Sequence, residues 1–474
     1  MAAEGFRYQE VAEHVRSLID SKALTPGTRL PSLRDLSRRL RVSIATVSQA
    51  YLELEKTGII EARTRSGFFV RTQMRQLAPA KRPQNPTLQA IKGSRSLLIQ
   101  EVLQAVGNHD FLPLGVICPD PSLLPSRDLA RLLAMVSRNQ PQLSLGYESV
   151  AGNLDLRRQI AILSLSAGFS VRPEEIIVTC GAMEALYIAI RSVTRPGDNV
   201  LIQSPTYFCF LQLLENCGLR AIEIPSYPET GIDPADLAKA LKTFDVAACI
   251  LAPNFNNPDG SLTPDSIKEE IVQLLEERNI PLVEDDVSGE LYFGQQRPGT
   301  YKSFDRKGMV IYCSSFSKTI CPGYRIGWMI PGQTYPKALE IKSTTNVSCA
   351  TPTQMAVAEY LQGGLYDRHL RRLRQALQQQ MQTMQIHLSN AFPDGTRSTR
   401  PRGGSVLWLE LPGKCDAVEF FYRARAEGIS IAPGPIFSTQ DRYDHFIRLS
   451  CSGVWNEDLG QGIKTLGQIA QDLA

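Results

Sequence analysis

Lys318 stands in the run SSFSKTICPGYRIGWM, residues 314–329, with serines on one side and an arginine on the other. A lysine amine condenses with an aldehyde to give a Schiff base. Ser315 and Ser317 add hydroxyls, and Arg325 adds a planar guanidinium suited to bidentate contact with a phosphate. This run is the most specific of six that could do chemistry.

The other five each have a physical job and an ordinary structural explanation beside it. VTCGAMEAL (178–186) reads as strand, glycine turn and helix; free N–H groups at a helix start bind phosphate, and Gly181 lets the backbone approach closely. In SPTYF (204–208), Tyr207 can stack on a planar heteroaromatic ring or fill a core. In APNFNNPDG (252–260), the Asn257 amide can donate to a phenolate oxygen or belong to a plain turn. PLVEDDVSGELYF (281–293) ends a strand in acids. A carboxylate at Asp286 can hold a pyridine nitrogen protonated, making the ring an electron sink. Acids there can also bind a metal or cap a helix. In DHFIRLSCS (444–452), Arg448 sits on a late strand, where it can clamp a carboxylate.

Alternating elements must position these groups. Short β-rich runs at 176–179, 199–202, 247–251, 281–284 and 310–313 alternate with helical segments from about residue 95 onward, the mark of a mostly parallel α/β sheet. The Gln-rich stretch 375–385 reads as the solvated side of a long helix. Residues 73–92, with three prolines and no clean period, read as a linker. Ahead of it, residues 7–72 read as three helices and a hairpin. Val11, Val15, Leu18 and Ile19 make the first helical stripe, Leu33, Leu36 and Leu40 the second; Ser43 fits the N-cap of the third. The units expected are therefore 1–72, a linker 73–92 and 93–474.

Charge separates the same two parts. Residues 1–92 hold 16 Lys and Arg against 8 Asp and Glu, while residues 93–474 hold 35 against 40. A basic head on a mildly acidic body suggests that the head meets a polyanion. The ten cysteines contain no CxxC, which argues against a zinc ribbon or redox motif and for reduced thiols. With no secretory signal and no run of 18 apolar residues, a cytoplasmic protein without membrane contact is expected. In the head, two helices joined by a tight turn would set the helix 43–56 in a major groove. Ser43, Thr46 and Gln49 would reach phosphates and base edges, and Arg34 would clamp a phosphate. Arg65 and Gly67 at the hairpin tip would enter the minor groove.

The string LPSLRDLSRRLRVSIATVSQAYLELEKTGIIEARTRSGFFV (30–70) resembles the winged helix-turn-helix of GntR regulators. It departs at Ile44, where the family commonly has a basic residue. The six ordered motifs resemble the fold-type I, class I/II aminotransferases over about residues 95–474, and the two parts together resemble the MocR subfamily. The resemblance implies an α/β fold with a smaller C-terminal subdomain, pyridoxal 5′-phosphate as cofactor and a homodimer. It implies Lys318 as the Schiff-base lysine, Asp286 on the pyridine nitrogen, Asn257 at O3′, Tyr207 on the ring and Arg448 on a substrate α-carboxylate. It makes a phosphate cup of Gly181, the Ala182 and Met183 amides, Ser315, Ser317 and Arg325. Tyr147, in LGYESVAGNLDLRRQI (145–160), would reach the phosphate in the neighbouring subunit. Ser288 and Gly289 stand where a tyrosine is common, and Ala182 lacks the hydroxyl often found in the cup. The function implied is a regulator that binds operator DNA and senses an amino acid, an amine or the cofactor. The alternative is a working aminotransferase with an appended DNA-binding head.

Overall fold

The computed structural model describes residues 7–20, 24, 27–56, 59–63, 67–70, 77–80, 90–91, 96–413 and 415–474. The chain divides into two compact units, Met1–Gln76 and Leu77–Ala474.

The first unit has helices Arg7–Asp20, Leu33–Leu40 and Ile44–Lys56, then an antiparallel hairpin, Ile60–Arg63 with Gly67–Val70. Val47, Ala50, Tyr51 and Leu54 recur at i, i+3, i+4 and i+7, and all are at most 1% exposed. They close on Val11, Val15 and Leu36 from the other two helices and on Ile60 and Val70 from the hairpin. Tyr51 donates its hydroxyl to the Pro31 carbonyl at 2.9 Å, so its one polar atom is satisfied. Ser32 caps the second helix through the Asp35 N–H at 3.2 Å, and Ser43 caps the third through the Thr46 N–H at 3.0 Å. Between them Arg41 takes the left-handed conformation, φ 56°, which makes the turn tight.

The second unit is built on a large mixed sheet. Its strand order is Ala90–Ile91, Arg220–Tyr227, Asn199–Ser204, Ala248–Leu251, Leu282–Asp285, Val310–Ser315, Ile326–Ile330, Ile177–Cys180. The pairings from Arg220–Tyr227 through Val310–Ser315 are parallel, and Ile326–Ile330 runs antiparallel to both neighbours. Nearly continuous apolar runs such as Ala248–Leu251 suit strands covered on both faces. A second, antiparallel sheet of Arg397–Ser398, Val406–Glu410, Phe446–Ser450 and Ala432–Pro433 carries its own core, with Phe420, Ile436, Phe437, Leu449 and Leu466. This is the smaller C-terminal subdomain.

Two expectations change. Of residues 73–92, expected as linker, Leu77–Ala80 and Ala90–Ile91 are described, and both pieces belong to the second unit. Ala78 bridges to Arg397, and Ala90–Ile91 pairs antiparallel with Ala221–Ile222 on the edge of the large sheet. Two residues are too few to display a period, but they are enough to cover part of an open edge. The Gln-rich stretch lies on the helix Tyr366–Ala391, as read, with Gln375, Gln379 and Gln382 exposed but Gln380 turned inward at 6% exposure.

Candidate functional site

A cavity of about 380 Å³ opens in the second unit. The parallel strands deliver its walls at their carboxyl ends: Tyr207 follows Asn199–Ser204, Asn257 follows Ala248–Leu251, Asp285 ends Leu282–Asp285 and Ser315 ends Val310–Ser315. That is where open α/β sheets bind ligands, because the loops diverge there and helix N-termini point inward. Of the sequence-predicted groups, Ala182, Met183, Tyr207, Asn257, Ser315, Ser317, Lys318, Arg325 and Arg448 all line this cavity. Tyr147 does not; its side chain is 93% exposed.

Two cations face the cavity from opposite subdomains, and one loop holds both. Lys318 Nζ donates to the Ile117 carbonyl, and the Arg448 guanidinium donates to the Gly115 carbonyl. Neither backbone acceptor carried a signal in the sequence. Arg448 also donates to Asn257 Oδ1 at 3.2 Å, while its Nε is buried with no partner among the described residues. An orphaned buried donor on a guanidinium marks a place for an anion. Burial pushes the Lys318 ammonium down to about 8 and the Arg448 guanidinium down to about 10. Lys318 is thus an amine that loses its proton at a lower pH than an exposed lysine does. In cofactor-free protein, reductive methylation of Lys318 by formaldehyde should rise about tenfold per pH unit up to about 8 and then level off. An exposed lysine should keep rising to about 10.4. Peptide mass spectrometry against pH reads both, and a Lys318 profile that tracks the exposed lysines would contradict this environment.

The groups suited to phosphate meet at one end. Gly181 has φ 79° and ψ 174°, a conformation essentially restricted to glycine. A Cβ there would stand 2.9 Å from Arg325 Cζ, so the missing side chain is what admits the guanidinium. Arg325, itself left-handed at φ 55°, donates to the Cys180 carbonyl at 3.3 Å. A Cβ on Gly327 would lie 2.8 Å from the Ala182 nitrogen, so Gly327 too is needed for the close approach of Ile326–Ile330 to this turn. The helix Ala182–Val193 starts here with no side-chain cap among the described residues, which leaves N–H groups of its first turn to an anion. Ser315 receives the Ser317 N–H at 3.4 Å, which folds the hydroxyls and Lys318 into one short turn.

The carboxylate assignment must be corrected from Asp286 to Asp285. Side chains alternate along a strand, so neighbours in EDD face opposite ways. Asp285 faces the cavity, and burial lifts its carboxyl to about 7. Asp286 is 1% exposed and turned away. It accepts from Arg297 at 2.5 Å, Tyr312 at 2.8 Å and Asn254 at 2.8 Å. Glu284 shares the Asp286 side of the strand and accepts the Tyr301 and Lys302 N–H groups. Period two would have found Asp285 once Glu284 was read as buried. Ser288, three residues after Asp285, also lines the cavity.

In the first unit, Arg34, Ser43 and Gln49 are exposed and Thr46 is half-buried. Ser43 Oγ lies 2.8 Å from Thr46 Oγ1, so the two hydroxyls form one polar group at the start of Ile44–Lys56. Gly67 is exposed with φ 95°, and the Arg29 guanidinium lies against it. Arg29 is a cation at the hairpin that sequence reasoning passed over. Arg65 lies outside the described residues.

Residues 125–466 match the family described as aminotransferase class I and II, and residues 7–70 match the bacterial regulatory proteins, gntR family. The chain belongs to the class I and II aminotransferase family through its larger unit and, as a whole, to the GntR-type transcription regulators of the MocR subfamily. Over 98% of its length it is 38% identical to the Escherichia coli protein named uncharacterized HTH-type transcriptional regulator YdcR, covering 99% of that protein. It is 31% identical to the 2-aminoadipate transaminase of Thermus thermophilus, over 79% of this chain and 94% of that one. Among solved structures it superposes on LysN, the alpha-aminoadipate aminotransferase of Thermus thermophilus complexed with N-(5′-phosphopyridoxyl)-L-leucine. The TM-score is 0.73 at 30% identity, over 81% of this chain and 96% of that one.

Proposed function

We propose that this regulator binds operator DNA through its first unit and holds pyridoxal 5′-phosphate in its second, where a carboxylated amine is sensed. The observation that carries the reading is the pair of cations, half-buried Lys318 and buried Arg448, facing one cavity in a chain that also bears a helix-turn-helix. The cavity fits the cofactor. The glycine cradle at Gly181 with Arg325, Ser315, Ser317 and the first amides of Ala182–Val193 suits its phosphate. Asp285 suits its ring nitrogen, Asn257 its O3′ and Tyr207 its ring face. When bound, the cofactor supplies an aldehyde that exchanges amines and a ring that withdraws electrons. Lys318 holds the aldehyde end and takes up or gives back a proton at Nζ. Asp285 keeps a proton at the ring nitrogen. Arg448 fixes the ligand carboxylate through its free Nε and orients the amine towards Lys318. The protein acts as a cytoplasmic homodimer, with Tyr147 reaching the partner's phosphate.

For the first unit, operator affinity should fall linearly on a log–log scale with salt, because its cations displace condensed counterions. Arg34→Ala should weaken binding to all sequences alike and reduce that slope by about 1, whereas Gln49→Ala should change which sequence is preferred. Gel-shift or anisotropy titrations in a salt series separate the two. The whole reading is tested by titrating operator with and without amino acids beside a multiple-turnover assay of amino-group transfer to 2-oxoglutarate. A protein that turns over many times, and whose operator affinity no amino acid or cofactor addition moves, is an aminotransferase with an appended head.

A further inference from the structure

We infer that the ligand sensed in this cavity is an α-amino acid with an apolar side chain, seated against Val102, Leu103 and Val106. The inference rests on the reading of Lys318 and Arg448 given above and adds what lies beyond them. The helix Ser96–Leu103 is anchored in the core of the small subdomain by Ile99 and Val102, at 2% and 3% exposure. The Glu101 carbonyl is tied to Arg425 at 3.1 Å. On this fixed element Leu103 remains 39% exposed and Val106, just beyond it, 58% exposed, and both line the cavity. Large apolar groups held open to water beside a binding cavity gain most from covering by an apolar ligand.

The charges point the same way. The charged residues lining the cavity among the described ones are Asp285, Lys318, Arg325 and Arg448. Arg325 belongs to the Gly181 cradle, and Lys318 and Arg448 suit the amine and the α-carboxylate. The remaining one, Asp285, is an acid that belongs to the ring nitrogen, so the described lining holds no further cation to pair a second carboxylate. A neutral, apolar side chain suits this lining, and an acidic one meets no complement in it.

The test uses the full chain with its cofactor and measures both the heat of binding and the shift in operator affinity for L-alanine, L-valine, L-leucine, L-phenylalanine, L-aspartate and L-glutamate. Affinity should rise about three- to fourfold per methylene from alanine through valine to leucine. Aspartate and glutamate should bind at least about tenfold more weakly than leucine. Leu103→Arg should reverse the order, leucine losing and glutamate gaining about tenfold; Val106→Lys, at a more exposed position, is a second variant with the same expected direction. Wild type that prefers glutamate or aspartate to leucine overturns the inference while leaving the sensor reading intact, as does an unchanged ranking in both folded variants. No response to any of the six overturns both.

Discussion

Arg297→Ala is expected to cost about 3–5 kcal/mol of stability, the usual penalty for leaving one member of a buried ion pair uncompensated. The Arg297 side chain is 6% exposed and holds two carboxylates, Asp286 at 2.5 Å and Glu290 at 2.6 Å. Asp286 has no water to turn to, because its carboxylate is fully buried among Tyr312, Asn254 and Arg297. Glu290 keeps a second cation, Arg374 at 3.2 Å, so the loss falls mainly on Asp286. Joining Arg297→Met to Asp286→Leu should recover much of the loss, since removing both charges of a buried pair is often nearly neutral. Chemical denaturation of the cofactor-free single and double variants measures this. A single variant within about 0.5 kcal/mol of wild type would mean that water reaches the pair. The cluster also bears on the site. The Asp286 backbone is fixed at both ends, its N–H to the Cys313 carbonyl at 3.0 Å and its carbonyl to Ser314 Oγ at 3.0 Å. With both backbone groups and the carboxylate held, the direction of the adjacent Asp285 side chain is held as well.

Arg448→Ala is expected to abolish the effect of amino acids on operator affinity while leaving basal operator binding in place. Couplings of this kind are typically about 1–3 kcal/mol, or roughly 5–150-fold, and linkage requires operator to change ligand affinity by the same factor. Removing the guanidinium removes the carboxylate clamp without touching Lys318 or the Gly181 cradle. Lys318→Ala should abolish the response too, but with loss of the visible absorbance of the bound cofactor, which Arg448→Ala keeps. Absorbance spectra and operator titrations of both variants distinguish a lost clamp from a lost amine. A full amino acid response in Arg448→Ala would remove that residue from its role.

The order of motifs along the chain was readable because each strand end must supply one group to one cavity, and loops at strand ends tolerate little spacing error. Lys318, Tyr207, Asn257 and Arg448, up to 241 positions apart in sequence, converge as that order implies. The head was readable from two helical stripes and one cap, Ser43. What escaped had no local signature. Gly115 and Ile117 act through carbonyl oxygens, which every residue has. Asp285 and Asp286 are chemically identical, and only the facing of the strand tells them apart. Arg29 meets the hairpin through a bridge to Phe69 flanked by the Leu30 N–H to the Phe68 carbonyl and the Val70 N–H to the Thr28 carbonyl, a pairing distant in sequence. The strand Ala90–Ile91 sits inside a stretch whose prolines and polar residues outweigh two apolar ones.

That short strand bears on solubility when head and body are separated. Arg220–Tyr227 is eight residues long; Ala90–Ile91 shields the positions Ala221 and Ile222 on its outer side, and Gly231–Ile232 pairs with Ser226 and Tyr227. An unshielded β-edge is a template for another chain's strand. A body cut ahead of Leu77 keeps its shield. One cut at residue 93 bares the hydrogen-bonding groups beside Ile222, and light scattering should find it self-associating while the longer fragment stays dispersed.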